Sequence, residues 1–317
     1  MNKPLAAKVP HLCAVVIAYN QWEQTLACLQ ALSGVTYPAR TVLLVDNGST
    51  DGTTEAVAQA FPQVCVLRLD ENRGYAGGAN IGLAHALADG ADYVLLLNND
   101  VWVPPDAPEA LVAAAEADPC IAAVGPKVYY ADDPQRLQSA GGTIDWRTMR
   151  SQLIGQDEID QSQYDYPRDV DFVSGCAMLI RARAWSMVGG FDLAYFLYYE
   201  EVDWCLRARR VGWKVVYIPS TGIWHADKVS SADEPGLVTY YTTRNLLLLA
   251  HRYANWRTQF AVYVEALWRA VRSLRHLASQ RRPWALATIW AVRDFFSGRL
   301  GRGPYPRVPG GKHASGG

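Results

Sequence analysis

The sequence has no CxxC pair, no apolar run long enough to span a membrane, and neither of the two common glycine fingerprints for phosphate binding. Its six cysteines (Cys13, Cys28, Cys65, Cys120, Cys176 and Cys205) are scattered. That excludes a zinc ribbon or a disulfide scaffold and fits buried thiols in a reducing cytosol. The opening MNKPLAAKVPHLC lacks the apolar stretch of a secretory leader. In the C-terminal part the longest charge-free apolar run, 283–292, is about half of the ~20 residues a spanning helix needs. The glycine-rich turn NRGYAGGAN at 72–80 matches neither G-x-G-x-x-G nor G-x-x-x-x-G-K-[ST], which argues against dinucleotide dehydrogenases and P-loop NTPases.

Half of the 317 residues are hydrophobic and 19% are charged, enough to bury a sizeable core in one large domain or two small ones. The formal charge of −1 hides an asymmetry. Up to Thr243 there are 17 basic residues against 29 acidic ones; from Arg244 onward there are 13 basic residues against Glu265 and Asp294 alone. An acidic body with a basic C-terminal part points to an anionic surface, membrane or nucleic acid, as a partner.

Short apolar runs alternate with helical patterns over the first hundred residues. Residues 14–18 (AVVIA), 42–45 (VLLV), 64–69 and 93–97 (YVLLL) predict strands covered on both faces. Residues 22–32, 53–61 and 76–88 have helical spacing. The alternation predicts an α/β fold with a doubly wound, mostly parallel sheet. Ligands of such sheets bind beyond the carboxyl ends of the strands. Polar residues follow three of the runs there: Tyr19-Asn20, the loop from Asp46 to Gly52, and Asn98-Asn99-Asp100.

Further along, a helix over 109–116, strands over 121–130, 173–181 and 213–218, and loops over 140–168 covering the site are expected. Beyond Arg244, Phe260, Val264, Leu267, Val271, Leu274 and Leu277 share one helical face, with Arg269, Arg272 and Arg275 off it. A second segment sets Trp284, Ile289, Trp290 and Phe295 among arginines. Such amphipathic helices can lie on a membrane, and Trp and Leu at helical spacing among Arg favour lipid over nucleic acid. The expected organisation is a domain over 1–243, with halves over about 12–105 and about 106–243. A basic helical region over 244–303 and a disordered tail over 304–317 complete it.

Six motifs, VVIAYN, LLVDNGSTDGT, NRGYAGGANIG, LLLNND, FVSGCAMLIRARAWSMVGGFD and FLYYEEVDWCLRARRVGW, occur in this order. On them the chain resembles family 2 glycosyltransferases of the GT-A fold, and among these the bacterial rhamnosyltransferases, over roughly 14–250, which implies a catalytic domain over 1–243 with a nucleotide-binding half over about 12–105 and an acceptor half over about 106–243. The resemblance implies a nucleotide-sugar donor held by Asp46, with Asn47 and Asp51 beside it, although DNGSTDG is also what a plain turn would use. Tyr19, Asn20, Asn98 and Asn99 are expected at the same donor site. Gly74, Gly77, Gly78 and Asn80 would bring backbone close to the donor, though a tight turn explains glycines equally well.

The family's D-x-D metal motif falls on Asn98-Asn99-Asp100, so Asp100 is the expected ligand of a divalent metal, Mg or Mn. Asn98 departs from the pattern by one charge. His225, 24 positions after Glu201, is the expected second protein ligand. The acidic cluster Glu200-Glu201-Val202-Asp203 carries the family's general base, best matched by Glu201, with Glu200 second and Asp203 orienting its neighbours or opening a helix over 204–210. Trp204 and Trp224 offer sugar-stacking faces or core packing, and Arg244 is expected on the donor phosphates.

The Q-x-x-R-W signature of processive members is missing. The resemblance thus implies an inverting, metal-dependent, non-processive transfer of one sugar. The best guess is L-rhamnose from dTDP-rhamnose, going to a lipid-linked or growing oligosaccharide of the cell envelope. The place expected is the inner face of the bacterial membrane, held peripherally through the C-terminal helices on anionic lipid, with no nucleic acid bound. A UDP-sugar donor, or a non-catalytic nucleotide- or glycan-binding relative, is the alternative, the latter allowed by Asn98 and Glu201. A sugar nucleotidyltransferase is disfavoured because Tyr19-Asn20-Gln21-Trp22 stands where its glycine loop belongs.

Overall fold

The computed structural model describes residues 9–226 and 236–304. They divide into two compact units, one of residues 9–145 with 150–226, the other of 146–149 with 236–304. In the first, β1 (Leu12–Ala18), α1 (Trp22–Ser33), β2 (Arg40–Asp46), α2 (Thr53–Ala60), β3 (Cys65–Arg68), α3 (Gly74–Ala88) and β4 (Tyr93–Asn98) alternate as expected. The apolar runs become strands because helices cover both faces of the sheet; β1 is buried along its whole length.

The next elements are β5 (Val101–Trp102), α4 (Ala107–Ala117), β6 (Ile121–Tyr130), β7 (Asp133–Ser139), β8 (Gly142–Asp145), β9 (Arg150–Leu153) and β10 (Arg168–Asp169). They are followed by β11 (Ala177–Arg181), α5 (Ala182–Val188), α6 (Glu200–Arg210) and β12 (Lys214–His225). The main sheet runs β10-β12-β6-β11-β4-β1-β2-β3, with β5 on β12 and β7 on β6. Strands β1 to β4 are mutually parallel and β12 is parallel to β6, while β11 lies antiparallel between β4 and β6. This is a doubly wound, mostly parallel sheet. Its register sets Ile17 beside Asn98 and Ala18 beside Asp46, so the polar ends of β1, β2 and β4 share one rim.

Helix α3 lies close on this sheet because Gly82 leaves room: a Cβ there would stand 2.5 Å from a Val15 methyl and 2.9 Å from one of Val45.

Three expectations change. Residues 140–168 hold the β8–β9 hairpin as well as loops, and the loop after it is pinned where buried Lys127 donates to Asp160 and Asp165 at 2.8 and 2.5 Å. The last strand does not stop at 218. After an irregularity between Tyr217 and Gly222, where Pro219 interrupts the ladder, β12 resumes beside β6 up to His225. Helix α6 begins at Glu200 rather than near 204, so both glutamates stand in its first turn.

The second unit contains α7 (Leu237–Tyr253), α8 (Trp256–Ser273), a 3-10 turn at Leu274–His276 and α9 (Arg282–Phe296). The expected amphipathic helices form, and α7 runs through the position expected to end the catalytic domain. Of the expected tail over 304–317, only residue 304 lies within the described residues.

Candidate active site

The rim is built first by Asn20 and Gln21, both left-handed at φ 59° and 63°. This turn lets the Asn20 amide donate to Ser49 Oγ at 2.7 Å, while its side-chain Oδ1 accepts from the Thr50 amide at 2.9 Å. Asn99 reaches across from β4, donating to Thr25 Oγ1 at 2.9 Å and to the Asn20 carbonyl at 3.3 Å. Asp46 is fully buried. Its Oδ1 accepts from the Ser49 amide at 2.8 Å and its Oδ2 from the Thr54 hydroxyl. Asp51 accepts from the Thr53 amide and hydroxyl and from the Trp22 amide. Asn20, Asp46, Asp51 and Asn99, expected on the nucleotide, therefore shape the rim through bonds within the protein, and Tyr19 is half-buried beside them.

The start of α3 departs from its expected use as a donor cradle. Gly74 at φ +73° faces Phe196, whose carbonyl oxygen would lie 2.3 Å from a Cβ. Asn47 accepts from the Arg73 amide and donates to the Gly74 carbonyl at 3.0 Å, and a Cβ on Gly78 would meet its side chain. The Arg73 Cβ fills the space beside Gly77. Asn80 makes a two-way bond with the Phe191 backbone at 2.8 Å each way. The first amides of α3 are taken too, Gly74 by Asn72 and Ala76 by the Phe196 carbonyl. The space beside these glycines is taken by protein, and the Arg73, Gly74 and Ala76 amides are engaged within it.

Asp100 and His225 do come together. The Asp100 Oδ1 lies 3.2 Å from His225 Nε2, and both side chains are nearly enclosed. Asn98 Nδ2 donates to the same nitrogen at 3.2 Å, and Nδ1 faces Gln138 Oε1 at 2.8 Å. That network assigns the ring proton to Nδ1 and leaves the Nε2 lone pair facing a carboxylate oxygen. Two electron-pair donors converging in this way, with the far ring nitrogen held by a carbonyl oxygen, form a donor set that suits a divalent cation. Among the described residues no group of three or more His, Cys, Asp and Glu could hold a metal, so a cation held by this pair would need its remaining ligands from elsewhere.

Glu200 and Glu201 stand in the first turn of α6. Glu200 is 4% exposed, and Oε2 of both glutamates is enclosed with no hydrogen-bond partner among the described residues. Burial pushes Glu201 up to about 7 against the backbone amides of the turn, which pull it down. Burial and then the Glu201 carboxylate hold Glu200 well above the usual carboxylate range. The chain enters this turn through three left-handed residues, Phe196, Tyr198 and Tyr199 at φ 64° to 76°, a conformation that is strained for aromatic side chains. Asp203 is fully buried, accepting from Tyr195 Oη at 3.1 Å and from Arg207 Nε at 2.8 Å. These bonds tie the loop before α6 to the helix.

Tyr75 joins the halves. Its hydroxyl donates to the Gly175 carbonyl at 2.5 Å, and a Cβ on Gly175 would be 3.6 Å from Glu201 Cγ. Burial first, then Glu200, Glu201, Cys176 and Asp100, keep its phenol well above its ordinary value. The expected cation ligand and the expected base thus act on one side chain.

Three aromatic and basic expectations end differently. Trp204 is fully buried, stacked on Trp185 at 5.6 Å, with its indole donating to the Gly189 carbonyl. It is core and no sugar platform. Trp224 stacks on Tyr129 at 5.4 Å and meets the half-exposed Trp102 edge-on, on the strand face opposite His225. Arg244 is fully buried in the second unit between Tyr240 and Tyr241, donating to Asn245 Oδ1 and to the Gly301 carbonyl; this guanidinium is bound within its own unit. Gln138 and Tyr75 were missed. Nothing in the sequence marks Gln138, whereas Tyr75 sits inside the glycine motif and is hidden by it.

The model of glycosyl transferase family 2 matches residues 13–185. An N-acetylglucosaminyl-diphospho-decaprenol L-rhamnosyltransferase of Mycobacterium tuberculosis is 31% identical over 268 residues, 77% of this chain and 86% of that protein. Galactofuranosyltransferase GlfT1 of Mycolicibacterium smegmatis is 31% identical over 63% of this chain and 66% of its own length. Among solved structures, mannosyltransferase PcManGT from Pyrobaculum calidifontis in complex with GDP-Man and Mn2+ superposes with a TM-score of 0.57 at 17% identity, over 92% of this chain and 88% of that one. GalNAc-T7 with UDP, GalNAc and Mn2+ gives 0.62 at 14% identity, over 92% and 57%. The fold is therefore GT-A-like. The chain belongs to glycosyl transferase family 2 and is a glycosyltransferase related to rhamnosyl- and galactofuranosyltransferases.

Proposed function

We propose that the protein transfers one sugar per encounter, with inversion, from a nucleotide donor to a lipid-linked or growing oligosaccharide of the cell envelope. Glu201 acts as the base. An enclosed carboxylate with a free Oε2 and a proton affinity near neutrality is the group an acceptor hydroxyl needs. As the acceptor oxygen bonds to the anomeric carbon, the bond from that carbon to the diphosphate breaks on the opposite face and the hydroxyl proton passes to Glu201. Asp100 and His225 would hold a divalent cation, Mg or Mn, whose charge offsets that developing on the leaving diphosphate. The rim from Tyr19 to Asp51 receives the nucleotide.

The observation that carries this reading is Tyr75, a buried phenol bonded to the Gly175 carbonyl and raised by burial, by Glu200 and Glu201 and also by Asp100. The donor sugar is L-rhamnose, supported by the mycobacterial rhamnosyltransferase, which pairs with 77% of the chain. Placement at the inner membrane face is supported by the basic second unit and taken further below.

A panel of dTDP-, UDP- and GDP-sugars, assayed for nucleoside diphosphate release with and without EDTA, tests the proposal. Release from dTDP-rhamnose that chelation abolishes is expected. Release only from a UDP-sugar would move the donor, and no release from any donor would remove the catalytic reading.

A further inference from the structure

We infer that helix α8 is the face by which the protein lies on an anionic lipid surface, an inference that rests on the membrane-side placement proposed above and narrows it to one element. Of the two C-terminal segments, only α8 leaves its apolar face open. Helix α9 buries Ala285, Ala287, Ala291 and Val292, whereas α8 buries Val262 and Ala266 only. Trp256, Phe260, Val264, Leu267, Val271 and Leu274 are each 47–72% exposed. Steps of four and three residues keep them in one stripe along a helix about 27 Å long. An apolar stripe of that length on a described surface needs an occupant.

The charges around the stripe choose between occupants. From Trp256 to Leu300 there are eight arginines and no lysine, against Glu265 and Asp294. Asp294 is buried, accepting from Arg293 and Tyr240. Arg257 lies over the Trp256 ring at 5.2 Å and Arg272 over Trp268, itself 56% exposed, at 4.9 Å. Each guanidinium is held at the border of the stripe, with its stem along an indole. This is the arrangement of a side chain that reaches a phosphate headgroup while the ring lies at the apolar boundary.

A second copy of the chain is the competing occupant, since the spacing would also serve a helix pair. It would set eight arginines against eight, with Glu265 as the one exposed carboxylate on each side. An anionic bilayer meets both the apolar and the cationic parts. No helix among the described residues is long and apolar enough to cross a membrane, which fits a helix lying in the interface.

The test is co-sedimentation of the full chain with phosphatidylcholine vesicles, with and without phosphatidylglycerol, in the absence of donor. Binding to the anionic vesicles that weakens with salt is expected. Val264→Glu with Val271→Glu should lower the partition coefficient at least about tenfold, and Arg272→Gln with Arg275→Gln about fivefold per arginine. Both variants are checked for unchanged circular dichroism, and the wild type for a monomeric mass in solution. Equal binding by the Glu variant, no binding by the wild type, or a dimer that the Glu variant dissociates would overturn the inference. Nucleoside diphosphate release, measured without vesicles, reads the catalytic proposal separately, so either can fail alone.

Discussion

Replacing Glu201 by Gln separates the two consequences of burying an ionisable base. The side chain keeps its volume and loses its charge. Burial raises the Glu201 carboxyl from its ordinary 4.5 to about 7, which corresponds to about 3 kcal/mol between the two protonation states. The folded protein binds the proton more tightly than the unfolded chain does. Stability from this group is therefore complete below about pH 4.5 and is lost as pH rises through 7. Wild type should lose about 3 kcal/mol over that window. Glu200, raised by burial and by its neighbour, extends the loss to higher pH.

In Glu201→Gln the contribution of residue 201 disappears and that of Glu200 shrinks, so the variant becomes progressively more stable than wild type as pH rises. Catalysis moves the opposite way. Only ionised Glu201 accepts a proton, so wild-type turnover should climb through pH 7, and the variant should lose roughly 100- to 10,000-fold at pH 8 and progressively less as pH falls below 7, with donor affinity unchanged. Urea unfolding at pH 5 and pH 8, alongside turnover, measures both. Parallel stability curves for the two proteins would show that Glu201 is not held in a water-poor site. Retained turnover would take the base away from it.

Gln138→Ala leaves His225 without its orienting partner and should raise the metal concentration for half-maximal turnover about 10- to 100-fold; a metal titration checks this, and Asp100→Ala should abolish the response. Tyr75→Phe removes the hydroxyl bonded to the Gly175 carbonyl. It should lower kcat by about fivefold, the equivalent of one hydrogen bond, while the donor KM stays put. Gly74→Ala requires a left-handed alanine against the Phe196 carbonyl and should cost at least about 2 kcal/mol in thermal or urea unfolding.

The fold was legible because its signals are local. Four apolar runs with helical spacing between them dictate a parallel sheet, and β1 to β4 form there, β1 and β4 buried as expected and the edge strand β3 half-exposed. The rim was legible for the same reason, since polar residues must follow such strands. Asp100 and His225 were placed by motif, and they meet at 3.2 Å across two strands. What sequence could not tell is which polar side chains the protein itself consumes. Asp46, Asn47, Asn80 and Asp203 carry the residue types of a binding site, yet each is satisfied by a loop that folds back onto it. The glycines of α3 read as room for a ligand because sequence does not show that Phe196, more than a hundred residues later, fills that room.

That contact explains how two enclosed carboxylates can persist side by side. Buried Glu200 beside half-buried Glu201, each with an enclosed Oε2, opposes folding, and three left-handed aromatic residues before them add about 1–3 kcal/mol each. Neither would hold without an anchor outside α6. The first turn of α3 provides two. Gly74 and Ala76 seat the Phe196 backbone, and Tyr75, between them in sequence, fixes Gly175 under Glu201. The same turn is tied by Asn47 to the loop that closes β2. A shift of the rim on which the donor is proposed to lie would therefore be felt at the base through one helical turn. The glycine motif thus ties the first turn of α6 to the rim, a structural role for those residues that differs from cradling phosphate.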